Sequence, residues 1–340
     1  MEVRSFLSGA EGGFRVVLPE PDESVRGYMH RLALAYGLSS VRVIMAEVSV
    51  GGPRPFSVAC ARRLAQLGGV DVESVAELSG FDATYLAGVS RWKFGSEHVS
   101  HFPAVNCRLL PLCVPCLHER SITPGFVHLA PMTACPVHAC KLVAACPNCQ
   151  SPLRVDRARL DRCHCRVNFH EVTPQEASTN EVLVVAAVFS RMSGEGHAKS
   201  KIASESGELD LSALELDDLV YMHWALGHVL PNPQEMALGT RRHLSHAENL
   251  RATNWMVSLV RSPQNLIPLI RGWQRIYAER DGRDASLPFG LFRSVLKRLI
   301  GLRALPEISN LIAAELERLS RLHEFRVSIG PTPPAQRNLF

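Results

Sequence analysis

Six of the chain's ten cysteines and three of its histidines fall within the 38 residues from Cys113 to Gln150, and two more cysteines follow at Cys163 and Cys165. The surrounding stretch, from about Cys107 to His170, is rich in proline and has no helical or strand period. It is too poor in apolar residues to fold by burial alone, so a metal is the expected organiser. Zinc takes four soft or borderline ligands at about 2.0–2.3 Å in a tetrahedron, and two ligands two residues apart supply half of one. The sequence offers Cys113-x₂-Cys116, eighteen residues, then Cys135-x₂-His138. It then offers Cys146-x₂-Cys149, thirteen residues, and Cys163-x-Cys165. Pro115, Pro136 and Pro147 stiffen the pairs. Cys140 is an alternative donor to His138, and His164 and His170 are alternatives in the second set. Cys60 and Cys107 fit neither pattern and read as ordinary thiols.

Both sets look closed. A catalytic zinc keeps a position open for water, whereas four protein ligands including several thiolates make a structural site. The zinc-deaminase pattern needs a His-x-Glu ahead of Pro-Cys-x₂-Cys, and neither "HER" nor "FHE" supplies it. The chain also lacks a phosphate-binding Gly-x₄-Gly-Lys loop, a Gly-x-Ser-x-Gly elbow and a His-Glu-x₂-His helix. Asp217 and Asp218 sit beside apolar helical residues and read as a solvated helix face. His223, His228 and His243 read as histidines in helices or at their ends. These readings point to a chain that is not an enzyme, with a zinc-dependent nuclease or deaminase as the remaining catalytic alternative.

Within 340 residues there is room for two or three domains with sizeable cores. A 46% hydrophobic and 21% charged composition is that of a soluble globular protein. No run of eighteen apolar residues could span a membrane. The opening "MEVRSFLSGAEGGFR" lacks a signal-peptide core, so a cytoplasmic location is expected, where disulfides are rare and clustered cysteines bind metal. The formal charge of +4 would fall to about +1 with seven thiolates and two Zn²⁺ bound. Net charge therefore says little for nucleic-acid binding. "RVDRARLDRCHCR" places five arginines around the second set, interleaved with Asp156 and Asp161.

Helical patterns flank the cysteine-rich centre. Pro19 and Pro21 lead into a helix capped at Asp22 or Ser24, with Val25, Tyr28, Met29, Leu32 and Tyr36 on one face and Gly37 at its end. A second helix is expected near 40–48 and a third near 57–67. "GVDVESVAELSGFDATYLAGV" has the rhythm of a helix–turn–helix, with its turn at Ser79-Gly80-Phe81 and a helix capped by Asp82. Such pairs are usually core packing. Beyond the centre, "TNEVLVVAAVFSRM" and "ELDDLVYMHWALGHVL" flank a polar stretch, "SGEGHAKSKIASESGE", that reads as a flexible loop. Ser245 and Glu248 predict a capping box, and Pro263 a helix start. Further helices follow to about residue 327. The expected organisation is mainly α: a helical domain with a helix–turn–helix over 1–105, a double zinc-ribbon-like module over 106–172, a helical domain over 173–327 and a tail over 328–340.

Two passages together resemble the TniQ family of transposition proteins, which includes the TnsD-like target selectors. "LPEPDESVRGYMHRLALAYGLS" is similar to the family's N-terminal signature, and "CRLLPLCVPCLHER…CPVHACKLVAACPNCQSPL…CHC" to its double zinc module. The resemblance runs from about Phe14 to Cys165. One departure is "CHCRVNF", which lacks the glycine expected after the final ligand. The resemblance implies two structural Zn²⁺ and a non-catalytic role in target-site selection. It implies a bridge from target DNA, contacted directly or through a CRISPR-RNA-guided complex, to an AAA+ regulator and transposase, and it allows a homodimer. The competing reading is a stand-alone, zinc-containing, sequence-specific DNA-binding regulator.

Overall fold

The computed structural model describes residues 16–48, 57–79, 92–100, 105–106, 108–194, 200–204, 207–232, 244–279, 286–302 and 305–321. It is mainly helical, with a metal-ligand-rich centre. None of its helices is long and apolar enough to cross a membrane, among the described residues.

The first unit is four helices: α1 (Val25–Ala35), α2 (Arg42–Glu47), α3 (Val58–Gly68) and α4 (Val72–Ala76). Each of three starts on a side-chain cap: Ser24 Oγ accepts from Gly27 N, Ser57 Oγ from Cys60 N, and Asp71 from Ser74 N. Val25, Tyr28, Met29 and Leu32 face inward onto Ile44, Leu64 and Val75 in one buried cluster. Tyr28 donates from its hydroxyl to the Val17 carbonyl at 2.7 Å. A β-carbon at Gly68 would fall 2.0 Å from that hydroxyl, so α3 can approach α1 only through a glycine. Cys60 is buried here, and burial pushes its thiol up to about 12, so it is inert at neutral pH. The expected second helix of the helix–turn–helix, from Asp82, lies outside the described residues.

A hairpin that the sequence reading did not anticipate follows: β1 (Trp92–Phe94) pairs antiparallel with β2 (Glu97–Val99). Gly95 turns it at φ +59°, and a β-carbon there would strike the Met192 carbonyl oxygen at 2.2 Å. Next comes α5 (Val114–Arg120) and the irregular centre, then α6 (Thr179–Ser193), started by a Ser178/Glu181 capping box. The polar stretch read as a flexible loop is corrected in part. It contains a second antiparallel hairpin, β3 (Lys201–Ser204) with β4 (Gly207–Asp210), anchored by buried Ile202.

The remaining helices are α7 (Leu216–Trp224), α8 (His246–Arg261), α9 (Leu266–Glu279), α10 (Ser286–Ile300) and α11 (Pro306–Arg321). The expected Ser245/Glu248 box starts α8. A π-turn over Ala225–Val229 extends α7 and brings Gly227 against α8, where a β-carbon would lie 2.3 Å from the Ala252 carbonyl oxygen. Trp273 stacks on Phe292 at 4.8 Å and donates to the Leu230 carbonyl. Buried side chains from Trp92 to Leu316 form one continuous cluster, which includes Cys113, Cys116 and Cys135. The metal-ligand centre and the later helices therefore share a core.

Asp217 and Asp218 do not form the solvated face expected of them. Asp217 accepts from the Ser100 amide at 2.8 Å and its hydroxyl at 2.6 Å. Arg298 reaches both carboxylates and lies 3.9 Å above the Tyr221 ring. His223 and His228 lie in helical turns, as expected, and are buried, while His243 lies outside the described residues.

Candidate metal centres

Three turns in the centre share one backbone plan. In the first, Cys135 N donates to the Cys140 carbonyl and Ala139 N returns to the Cys135 carbonyl. In the second, Cys146 N donates to Ser151 and Gln150 N to Cys146. In the third, Cys163 N donates to Val167 and Arg166 N to Cys163. Each hairpin-like knuckle thus closes just after its second ligand, where the chain must turn left-handed. Ala139, Gln150 and Arg166 take φ of +49°, +58° and +73°. Arg166 occupies the position at which a glycine was expected, and it adopts the conformation a glycine would.

The fourth pair sits at the start of α5. Cys113 is its N-cap, with its Sγ accepting from Cys116 N at 3.5 Å, and Pro115 lies in the first turn, where its missing N–H costs nothing. One side chain both starts the helix and presents a donor to a metal.

These pairs converge in two places. Cys113, Cys116, Cys135 and His138 bring four donor atoms within 4.8 Å of one another, as do Cys146, Cys149, Cys163 and Cys165. His138 Nδ1 lies 3.3, 3.3 and 3.4 Å from the sulfurs of Cys113, Cys116 and Cys135. Cys116 and Cys135 sulfurs are 3.7 Å apart, and the second set shows 3.5 Å for Cys146–Cys165 and 3.6 Å for Cys149–Cys163. Ligands about 2.0–2.3 Å from a tetrahedral zinc stand roughly 3.3–3.8 Å apart. Both sets have that spacing and could hold a metal ion.

The alternative donors stand aside. Cys140 is buried beside the first set, its sulfur 3.7 Å from that of Cys113, but outside the group of four. His164 is exposed, with its ring nitrogens 3.5 Å from Cys163 and 3.9 Å from Cys149 sulfur, and lies outside the second group. His170 sits at neither; it pairs with His118. Cys107 lies outside the described residues.

Glu119 was not singled out in the sequence as a site residue. Its two carboxylate oxygens each lie 3.1 Å from His138 Nε2. A ligating histidine commonly gives its other N–H to a carboxylate, which fixes the tautomer and strengthens the donor nitrogen. The only sequence signal is its place three residues after Cys116 on a helix, one turn from the ligand. The second set has a weaker support in Asn148 Nδ2, 3.9 Å from Cys165 sulfur.

Charge around the second set is balanced by the arginines. Four thiolates with one divalent ion leave a charge of about −2. Arg157 threads the loop beneath it, donating to the carbonyls of Leu110, Arg154, Arg159 and Leu160. Arg154 and Arg42 pair with Asp156, and Arg159 and Arg162 with Asp161. Two acids serve four arginines, and the excess of two positive charges offsets the negative charge of the metal-loaded set.

The first unit is fastened to the centre through the pair Glu23-Ser24. Ser24 N donates to the Thr123 carbonyl, Gly125 N to Asp22, and Ser79 N to Glu23, so three chain segments meet there. A β-carbon on Gly125 would lie 2.2 Å from Ser79 Cβ. Glu23 is fully buried and paired with Arg31 at 2.7 Å. Burial outweighs that arginine and raises its carboxyl to about 7. On the other side of α1, buried His30 donates from Nε2 to the Val155 carbonyl at 3.0 Å. Burial, with the charge of Arg157, holds its pKa down to about 3, so it is the neutral ring that bonds.

Residues 14–142 match the family model described as TniQ. No curated protein matches the chain. That segment, which ends beside the first metal set, is similar to the TniQ family of transposition-associated proteins.

Proposed function

We propose, from the TniQ match over residues 14–142, that the chain selects target sites for transposition by bridging a target-recognising element to an AAA+ regulator and transposase. The recognising element is target DNA contacted by the chain itself or a CRISPR-RNA-guided complex. Each donor set holds one Zn²⁺ as a strut: three thiolates with an imidazole, and four thiolates, are closed structural sets with no position left for a reacting water.

One observation carries the reading. The Glu23-Ser24 pair locks the first helical unit to the metal-organised centre, and the centre shares its core with the later helices. An adaptor needs partner surfaces held in fixed relation, not reactive groups. The exposed arginines beside the second set, Arg154, Arg159 and Arg162, offer a place for a phosphate backbone.

Affinity purification of the tagged protein from its native host, with mass spectrometry before and after nuclease treatment, tests this. Nuclease-resistant recovery of an AAA+ ATPase, with or without CRISPR subunits, is the expected result. Recovery of DNA alone, with sharp sequence preference by the purified chain, would replace it with a stand-alone DNA-binding regulator.

A further inference from the structure

Beside the first metal set, α5 and the short 3₁₀ turn Phe169–Glu171 bound an open cleft of 440 Å³. His118 and His170 line it, with Glu119, Glu171, Pro115 and Pro174 around them. Neither histidine belongs to the two donor sets. We infer that His118 and His170 form a third metal site, open to solvent, that takes a borderline divalent ion such as Zn²⁺. The inference goes beyond the adaptor reading and stands whether or not that reading holds.

Three features of the pair point this way. The two Nδ1 atoms lie 3.3 Å apart. Two nitrogens, each about 2.0–2.1 Å from a tetrahedral zinc, stand roughly 3.3–3.4 Å apart, so the pair spans one edge of such a tetrahedron. The same spacing, 3.3–3.4 Å, separates His138 Nδ1 from its three sulfurs in the first set.

The second feature is the tautomer. His118 Nε2 lies 2.7 Å from the His170 carbonyl oxygen, so that nitrogen carries the proton and donates. In the neutral ring this leaves Nδ1 with its lone pair, which accepts from His170 Nδ1 at 3.3 Å; a metal ion would take the place of that shared proton. A backbone carbonyl holding the distal N–H is the usual support of a metal-bound imidazole. The rings meet edge to face, 72° apart with centroids at 4.5 Å, so they are not stacked.

The third feature is the surroundings. Two protein ligands leave coordination positions for water or for a group brought by a partner, and the cleft gives them room. Glu119 and Glu171 line it and supply compensating negative charge, although each is engaged, with His138 and Asn168 respectively. Imidazole donors select zinc, copper or nickel over magnesium and calcium.

The test uses the full chain, freed of any histidine tag, loaded with two equivalents of Zn²⁺ and desalted. Titration with Zn²⁺ followed by calorimetry reads further binding. The expected result is a third, weaker equivalent, lost or weakened at least about tenfold in both His118→Gln and His170→Gln while the two tight equivalents survive desalting. A stoichiometry that stops at two up to about 100 µM free Zn²⁺ would overturn the inference, as would a third equivalent untouched in the double variant. If a variant fails to keep its two tight ions, nitrogen NMR of the wild type decides. Shifts of both His118 and His170 Nδ1 on adding the third equivalent support the site, and unmoved resonances sink it.

Discussion

Replacing Glu119 by glutamine isolates the contribution of a single carboxylate to the first metal set. Both oxygens lie 3.1 Å from His138 Nε2, while the metal-facing nitrogen, Nδ1, points at three sulfurs. Glutamine keeps an oxygen that can accept the same N–H, so what is removed is chiefly the negative charge. Loss of such a partner typically costs 10–100-fold in metal affinity. The Glu119 side chain is 58% exposed, which places it at the weak end of that range through solvent screening. We expect about tenfold weaker Zn²⁺ at the first set, or about 1.4 kcal/mol, and no change at the second. Chelator competition measures affinity, and cadmium-113 NMR separates a three-sulfur, one-nitrogen site from a four-sulfur site. Glu119→Ala should weaken the first set further, since it also removes the hydrogen-bond acceptor. Equal loss at both sites, or none at either, would refute the idea that Glu119 acts through His138.

Other perturbations test the scaffold. Ala139→Gly relieves a left-handed residue that costs roughly 1–2 kcal/mol against a glycine entropy penalty of about 0.5–1, so metal-saturated protein should melt slightly higher. Gly125→Ala pushes a β-carbon onto Ser79 at the meeting of three segments and should cost about 1–3 kcal/mol by urea unfolding. Glu23 titrates at about 7 in the fold against an ordinary 4.5, so the native state holds that proton more tightly. Its stabilising effect is full below pH 4.5 and fades as pH rises through 7. The gap in unfolding free energy between wild type and Glu23→Gln should therefore shift in the variant's favour by on the order of 2 kcal/mol from about pH 5.5 to about 8. A pH-independent gap would show that Glu23 is ionised throughout.

The donor sets and the helix starts are written in short-range pattern, and for that reason they can be read directly. A Cys-x₂-Cys turn needs only its own few residues, as does a Ser24 or Ser245 cap. Features that depend on distant partners leave no such trace. Asp217 looks like a surface acid because helical periodicity puts it on a polar face, yet its partners are Ser100 and Arg298, 117 and 81 residues away in sequence. The strands "WKF" and "EHV" are three residues long, too short for alternation to register, and their pairing rests on a glycine fitted against Met192. The hairpin at Lys201–Asp210 is mostly polar, and only the facing pair Ile202 and Leu209 commits it to the core. Glu119 and the His118–His170 pair became visible as support and as a candidate site only once α5 was set against the turns of the centre.

The position of the donor sets along the chain also has a mechanical consequence. The centre has little regular structure of its own between Ser121 and Ser178, yet it is gripped on both sides. Thr123 and Val155 take hydrogen bonds from the first unit, through Ser24 and His30. On the other face, Lys141 N donates to Gln175 and Ala177 N to Ala139, tying the knuckle of the first set to the strand of chain that enters α6. Cys113, Cys116 and Cys135 contribute side chains to the same core as Leu216 and Val257. Structural zinc contributes folding energy of order 10 kcal/mol to modules of this size, comparable with the whole stability of a domain. Emptying the first set would therefore loosen the Thr123 tie to α1 and the Ala139 tie to α6 together, while the Val155 tie lies in the loop of the second set.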